Sequence, residues 1–171
     1  MKLKFLLPLL PALVLGQNLT MEDEYSIKTL FIYNFTKYIE WPAANKKNVF
    51  EIDVVGESAI LKPLEALARN KKINQKPIII KMIDAESEVT GDIVFIPFSG
   101  SKKLSTVLKQ CKGKNALVIT EAPNLALKGS AINFRVVEHK IRFELNQAAA
   151  KNSGLKFSTE LVELSIPVNA Q

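Results

Sequence analysis

Two short runs constrain this chain more than anything else in it. "DIVFIPF" (92–98) and "NALVITEA" (115–122) are apolar at nearly every position. A strand with one face in water alternates polar and apolar residues, so a strand apolar throughout must be covered on both sides. Between the two runs lies "SKKLSTVLKQCKG" (101–113), with Leu104, Val107, Leu108 and Cys111 on one helical face and Gly113 placed to end the helix. Strand, helix, strand in that order predicts parallel pairing under helical cover. The same order precedes it. "VFEIDVVG" (49–56) reads as a strand closed by Gly56, "SAILKPLEALARN" (58–70) as a helix and "KPIIIKMI" (76–83) as a further strand. Ser58 is a candidate N-cap, and Pro63 forces a kink or a later helix start.

The pattern then changes period. Ile132, Phe134 and Val136 alternate with polar neighbours, as do Ile141, Phe143 and Leu145, with Glu138-His139-Lys140 between them. That spacing predicts an antiparallel hairpin. "NQAAAKNSG" (146–154) reads as a short helix closed by Gly154, and "STELVELS" (158–165) fits either a helix or a strand. At the other end, Thr20-Met21-Glu22-Asp23 has capping-box spacing, followed by the stripe Ile27, Leu30, Phe31, Phe35, Tyr38 and Ile39. Trp41-Pro42 ends that helix. Asn34 lies within the stripe and is expected to be a buried amide bonded to backbone. The fold class expected is α/β: a sandwich with a mostly parallel central sheet, an antiparallel C-terminal hairpin at its edge, and helices on both faces.

The first residues stand apart from this plan. "MKLKFLLPLLPALVLG" has a basic start, a short apolar run interrupted by Pro8 and Pro11, and small residues before Gln17. It reads as a signal peptide over residues 1–16, cut after Gly16, with Gln17 where a lipidated cysteine would stand in a lipoprotein. The run is too short to span a bilayer. An exported protein without a membrane anchor follows, with residues 17–171 as a single domain.

Loss of Lys2 and Lys4 from the 23 basic residues, against 17 acidic ones, lowers the net charge from +6 to +4. The lysines are scattered, which argues against a nucleic-acid partner. With one cysteine, Cys111, no internal disulfide can form, and its place on an amphipathic helix suggests a quiet, partly buried thiol.

Few residues carry a chemical pattern. The only histidine, His139, sits at the hairpin turn without a zinc partner set or a nucleophile elbow. No catalytic residue, metal ligand or cofactor is assigned. Two strand ends suit a small ligand: "VVGES" at Gly56 lacks the dinucleotide glycine triplet, while "PFSGSKK" offers Ser99, Ser101 and Lys102 at a helix start. Glu121 ends a third strand nearby. Gly56, Ser99, Ser101 and Glu121 are the candidate ligand pocket.

"YSIKTLFIYNFTKYIEWP" closely resembles the N-terminal signature of the YfiR/HmsC-like family, through Tyr33, Asn34, Phe35, Lys37, Tyr38, Ile39, Glu40, Trp41 and Pro42. "FEIDVVGES", "DIVFIPFSGS" and "ALVITEAPNLALKGSAINF" resemble later segments of the family, with Ser130 where a second glycine is usual. "KIRFELNQAAAKNSGLKFSTELVELS" resembles its closing signature. The resemblance implies a periplasmic α/β domain without known catalysis. It implies a partner too: a membrane signalling protein, a diguanylate cyclase that the regulator represses, with cyclic-di-GMP and biofilm formation lowered. A sensor kinase is the other inner-membrane partner considered, and self-association into a homodimer stays open. Some family members carry paired cysteines, so a single Cys111 puts redox control by an internal disulfide in doubt here. Asn34, Phe35, Trp41 and Pro42 serve as the structural signature. A protein-interaction role predicts an uncovered apolar patch, expected at Phe143, Leu155, Phe157, Leu161 and Leu164. The alternative role is a periplasmic small-ligand-binding or sensory domain at the strand ends.

Overall fold

The structure is a computed structural model that describes residues 20–42 and 47–168; the expected leader lies outside the described residues. Helix α1 (Met21–Phe35) is followed by β1 (Ile39–Glu40), β2 (Phe50–Val55), α2 (Leu61–Asn70), β3 (Lys72–Ile73), β4 (Lys76–Ile83) and β5 (Ile93–Ile96). A 3-10 turn (Phe98–Lys103) leads into α3 (Leu104–Cys111), then β6 (Leu117–Thr120), β7 (Ile132–Val137), β8 (Lys140–Leu145), α4 (Gln147–Asn152), β9 (Lys156–Phe157), α5 (Thr159–Leu164) and β10 (Ile166–Pro167).

Eight strands form one sheet in the order β10-β8-β7-β6-β5-β2-β4-β3. Pairing is parallel from β4 through β2, β5 and β6 to β7. The β7–β8 hairpin is antiparallel, with Phe134 opposite Phe143. It lies one strand in from the edge, because β10 pairs with β8. The expected α/β class, with a mostly parallel sheet and an antiparallel C-terminal hairpin, is the one observed.

The period-2 rule sorts side chains onto the two faces. Ile52, Val54, Ile93, Phe95, Leu117, Ile119, Ile132 and Phe134 form one core with Ile32 and Phe35 of α1 and Leu64 of α2. Val55, Val94, Ile96 and Val118 form the other with Leu104, Val107 and Cys111 of α3. The doubly apolar β5 and β6 are buried along their whole length between these layers, which is why they carry no alternation.

α2 takes the later start that Pro63 allowed, and α1 departs from expectation. α2 starts at Leu61, so Pro63 sits in its first turn, where its missing N–H costs no bond. α1 ends at Phe35, before Trp41. Tyr38 and Leu30 are exposed rather than part of the core stripe, while Lys28, Thr29, Ile32 and Phe35 are buried. Asn34 is exposed, and its amide oxygen accepts from Lys37 Nζ at 2.8 Å; the expected buried amide is corrected. Residues 159–164 settle the open choice as a helix, capped by Ser158.

The rest of the signature does pack. Phe35 lies 5.9 Å from Phe134 and 4.9 Å from Phe143, ring to ring. Trp41 meets Phe50 edge-on at 5.4 Å, and its indole N–H donates to the Asp92 carbonyl. Ile39 pairs with Phe157 in a separate two-stranded ribbon, β1–β9. Pro42 approaches Gly154: a Cβ on that glycine would stand 2.6 Å from Asn115 Oδ1 and 3.5 Å from Pro42 Cγ, and its φ is +71°. The opening and closing signatures therefore meet in space, and glycine is required there.

Candidate functional site

Strand order reverses between β2 and β5, because β4 lies on one side of β2 while β5 and β6 extend on the other. The crevice beyond the carboxyl ends of such strands is where open α/β sheets usually hold ligands. Gly56 follows β2, Ser99 and Ser101 follow β5, and Glu121 follows β6, so all four candidate pocket residues come to this end. Ser99 is exposed and Ser101 half-buried.

Glu121 ties the region together. Its Oε1 accepts from the Phe98 backbone N–H at 2.8 Å and from the Tyr25 hydroxyl at 3.0 Å. Its Oε2 pairs with Lys28 Nζ at 2.5 Å, and Lys28 pairs in turn with Glu24 at 2.5 Å. The Lys28 and Glu121 side chains are only 5% and 3% exposed. Lys28 Nζ also lies 4.8 Å from the Tyr25 ring centre. Burial, reinforced by the neighbouring Glu121 carboxylate, pushes the Tyr25 phenol up to about 12. It stays protonated and donates.

The first two turns of α1 thus close over the strand ends, with both Glu121 oxygens engaged. Sequence reading singled out Glu121 but missed Tyr25, Lys28 and Glu24. The signal present was a lysine inside an apolar stripe, four residues after a glutamate.

Beside this clasp an open trough of about 930 Å3 runs between α1 and α2. Met21, Leu30, Ala59, Leu61, Ala66 and Leu67 line it, with Glu22, Lys62 and Glu65 also at its walls. A smaller hollow formed by Glu57, Ser58, Ala59, Leu61 and Met82 adjoins it. Leu30 is 56% exposed within the trough.

The C-terminal cluster is mostly spent on packing. Phe143, Leu155 and Leu161 are buried in the core, Phe157 is half-buried, and Leu164 alone of the five is largely exposed, at 61%. Their alternation and spacing matched core and surface patches equally well.

The face of the sheet under α3 carries two polar networks. Glu51 bonds Lys81 at 2.6 Å and Lys47 at 3.0 Å. Burial alone would raise its pKa, but these lysines outweigh that and hold it below the usual value. Asp53 Oδ2 accepts from the Thr90 and Gly91 amides, while its buried Oδ1 has no hydrogen-bond partner. Burial raises Asp53 against the pull of those amides. On the far side, Thr120 joins Ser130 at 2.8 Å and Asn133 at 2.7 Å, and Asn133 donates to Glu144. Ser130 is fully buried within this network.

Cys111 is buried, and its thiol is pushed up to about 11 by that burial. His139 is exposed at the hairpin turn with φ +59°. Among the described residues, no group of three or more histidines, cysteines and carboxylates could hold a metal, and no helix is long and apolar enough to cross a membrane.

Fold and site together define a helix–sheet–helix α/β domain whose strand-end carboxylate, Glu121, is held by its own first helix. The sequence profile of the YfiR/HmsC-like family matches residues 25–166, and the chain belongs to that family, whose members are known as periplasmic regulators. No curated protein matches it.

Proposed function

We propose that this protein is exported through a signal peptide over residues 1–16, and that residues 17–171 act in the periplasm as a regulator without catalytic activity of its own. It binds an inner-membrane signalling protein and restrains it. By analogy with the regulators it resembles, that protein is a diguanylate cyclase, and the outcome is lower cyclic-di-GMP and less biofilm.

Family membership over residues 25–166 is the observation that carries this reading. The site supports it. At the strand ends, Glu121 is engaged by Tyr25 and Lys28 rather than left for a substrate, which favours recognition on the outer surface. The test is capture from solubilised inner membranes with the mature protein. Recovery of a transmembrane signalling protein, with its activity lowered on adding the pure regulator, is the expected result. A captured cyclase or kinase whose activity does not respond would sink the proposal.

A further inference from the structure

We propose that the trough between α1 and α2 is a docking groove for a basic amphipathic helix of a partner protein. This rests on the reading of the protein as a regulator and names the surface and the kind of segment it grips. Three observations converge on it.

The first is an unfinished helical layer. α1 and α2 cover the same face of the sheet, and they leave an open volume of about 930 Å3 between them. Leu30 projects into it with more than half its surface exposed, and Met21 is exposed at its upper end. A helix laid in that groove would make both into buried contacts.

The second is length. α2 has ten residues, so the groove runs about 15 Å, or roughly three helical turns. That accommodates apolar anchors at i, i+3 or i+4, and i+7.

The third is charge. The chain is basic overall, yet the edges of this groove are not. Lys62 is matched by Glu22 at 3.5 Å, which leaves Glu65 on α2 and Glu57 in the adjoining hollow as exposed carboxylates. A helix with lysines or arginines flanking its apolar stripe complements that edge; an acidic one is repelled.

The experiment uses the mature protein and two labelled peptides of about 14 residues in helical period, one of leucine and lysine and the other of leucine and glutamate. Fluorescence anisotropy is expected to show saturable binding of the lysine peptide, weakening as salt rises, and none of the glutamate peptide. Leu30→Glu should abolish binding with an unchanged melting temperature, because the side chain is exposed. Glu57→Lys with Glu65→Lys should weaken it about tenfold or more. Equal binding of both peptides, no binding of either, or full binding by Leu30→Glu overturns the proposal. So does a dimer in sedimentation that Leu30→Glu dissociates, which would assign the groove to a second copy of this chain. The two readings fail separately. Membrane capture kept by Leu30→Glu discards the groove and leaves the regulator; capture of a signalling protein whose activity never responds discards the regulator.

Discussion

The two halves of α1 are built on different plans. From Phe31 onward the helix is packing: Phe31 and Phe35 interlock with Phe134 and Phe143 of the hairpin at ring separations between 4.9 and 6.1 Å. Before Phe31 packing is mixed with charge: Tyr25 and Ile27 lie against the core, Tyr25 and Lys28 are held on Glu121, and Met21 and Leu30 turn to an open groove. The apolar half fixes where the helix lies. The polar half closes the strand ends and leaves an unfilled surface next to them. A signature that reads as one amphipathic helix therefore serves two purposes: both halves pack on the core, and the first also clasps the strand ends.

That contrast can be broken by substitution. Phe35→Ala removes a buried ring from the aromatic cluster and should destabilise the protein by about 3 to 5 kcal/mol, read as a fall in the urea midpoint. Lys28→Ala leaves the Glu121 carboxylate buried with only neutral donors. It should cost about 3 kcal/mol, whereas Lys28→Met combined with Glu121→Leu should recover much of that loss. A double substitution as damaging as the single one would mean that the clasp is not an ion pair in energetic terms.

A smaller effect tests the opposite face of the sheet. The Asp53 carboxyl sits above its ordinary 3.8 in the folded protein because of burial. The folded state then keeps a proton that the unfolded state has released. Stability therefore falls as pH rises from about 3.8 through the folded-state pKa, and stays lower above it. Asp53→Asn keeps an acceptor for the Thr90 and Gly91 amides and abolishes this fall, so its stability relative to wild type should rise across that window. Glu51 has the reverse sign. Its lowered pKa gives stability that is present above 4.5 and is lost as pH falls through the folded value, so Glu51→Gln should flatten the acid side of the profile. Urea midpoints between about pH 3 and pH 7 separate the two. The smallest effect belongs to Asn34→Leu. With the amide exposed, the melting temperature should barely move, within about 0.5 kcal/mol of stability.

Much of the fold was legible in the sequence. The doubly apolar β5 and β6, the change to period two at Ile132, and the glycines that end α3 and α4 carry their structure locally. What escaped was decided at a distance. β3, β10 and the β1–β9 ribbon are two-residue strands, too short to have a period, and exist because a neighbouring edge is there to pair with. The early end of α1 follows from the same ribbon, since Ile39 pairs with Phe157 and the Ser158 N–H donates to the Tyr38 carbonyl, both more than a hundred residues away. The site shows the same division. Glu121 could be picked out because it ends a strand, but its partners Tyr25 and Lys28 are joined to it only by the fold. The aromatic and leucine residues of the C-terminal segment gave the opposite error of scale: their spacing suggested a patch, while burial leaves Leu164 and part of Phe157 outside.

The most direct test of the divided helix is site-specific photocrosslinking in cells, with the reactive side chain placed at Leu30 in the groove or at Asn34 one turn further along the same helix. Crosslinks from Leu30, and not from Asn34, to a basic amphipathic helix of an inner-membrane signalling protein, mapped by mass spectrometry, are the expected result. Equal crosslinking from both positions, or crosslinks from Asn34 alone, would contradict it.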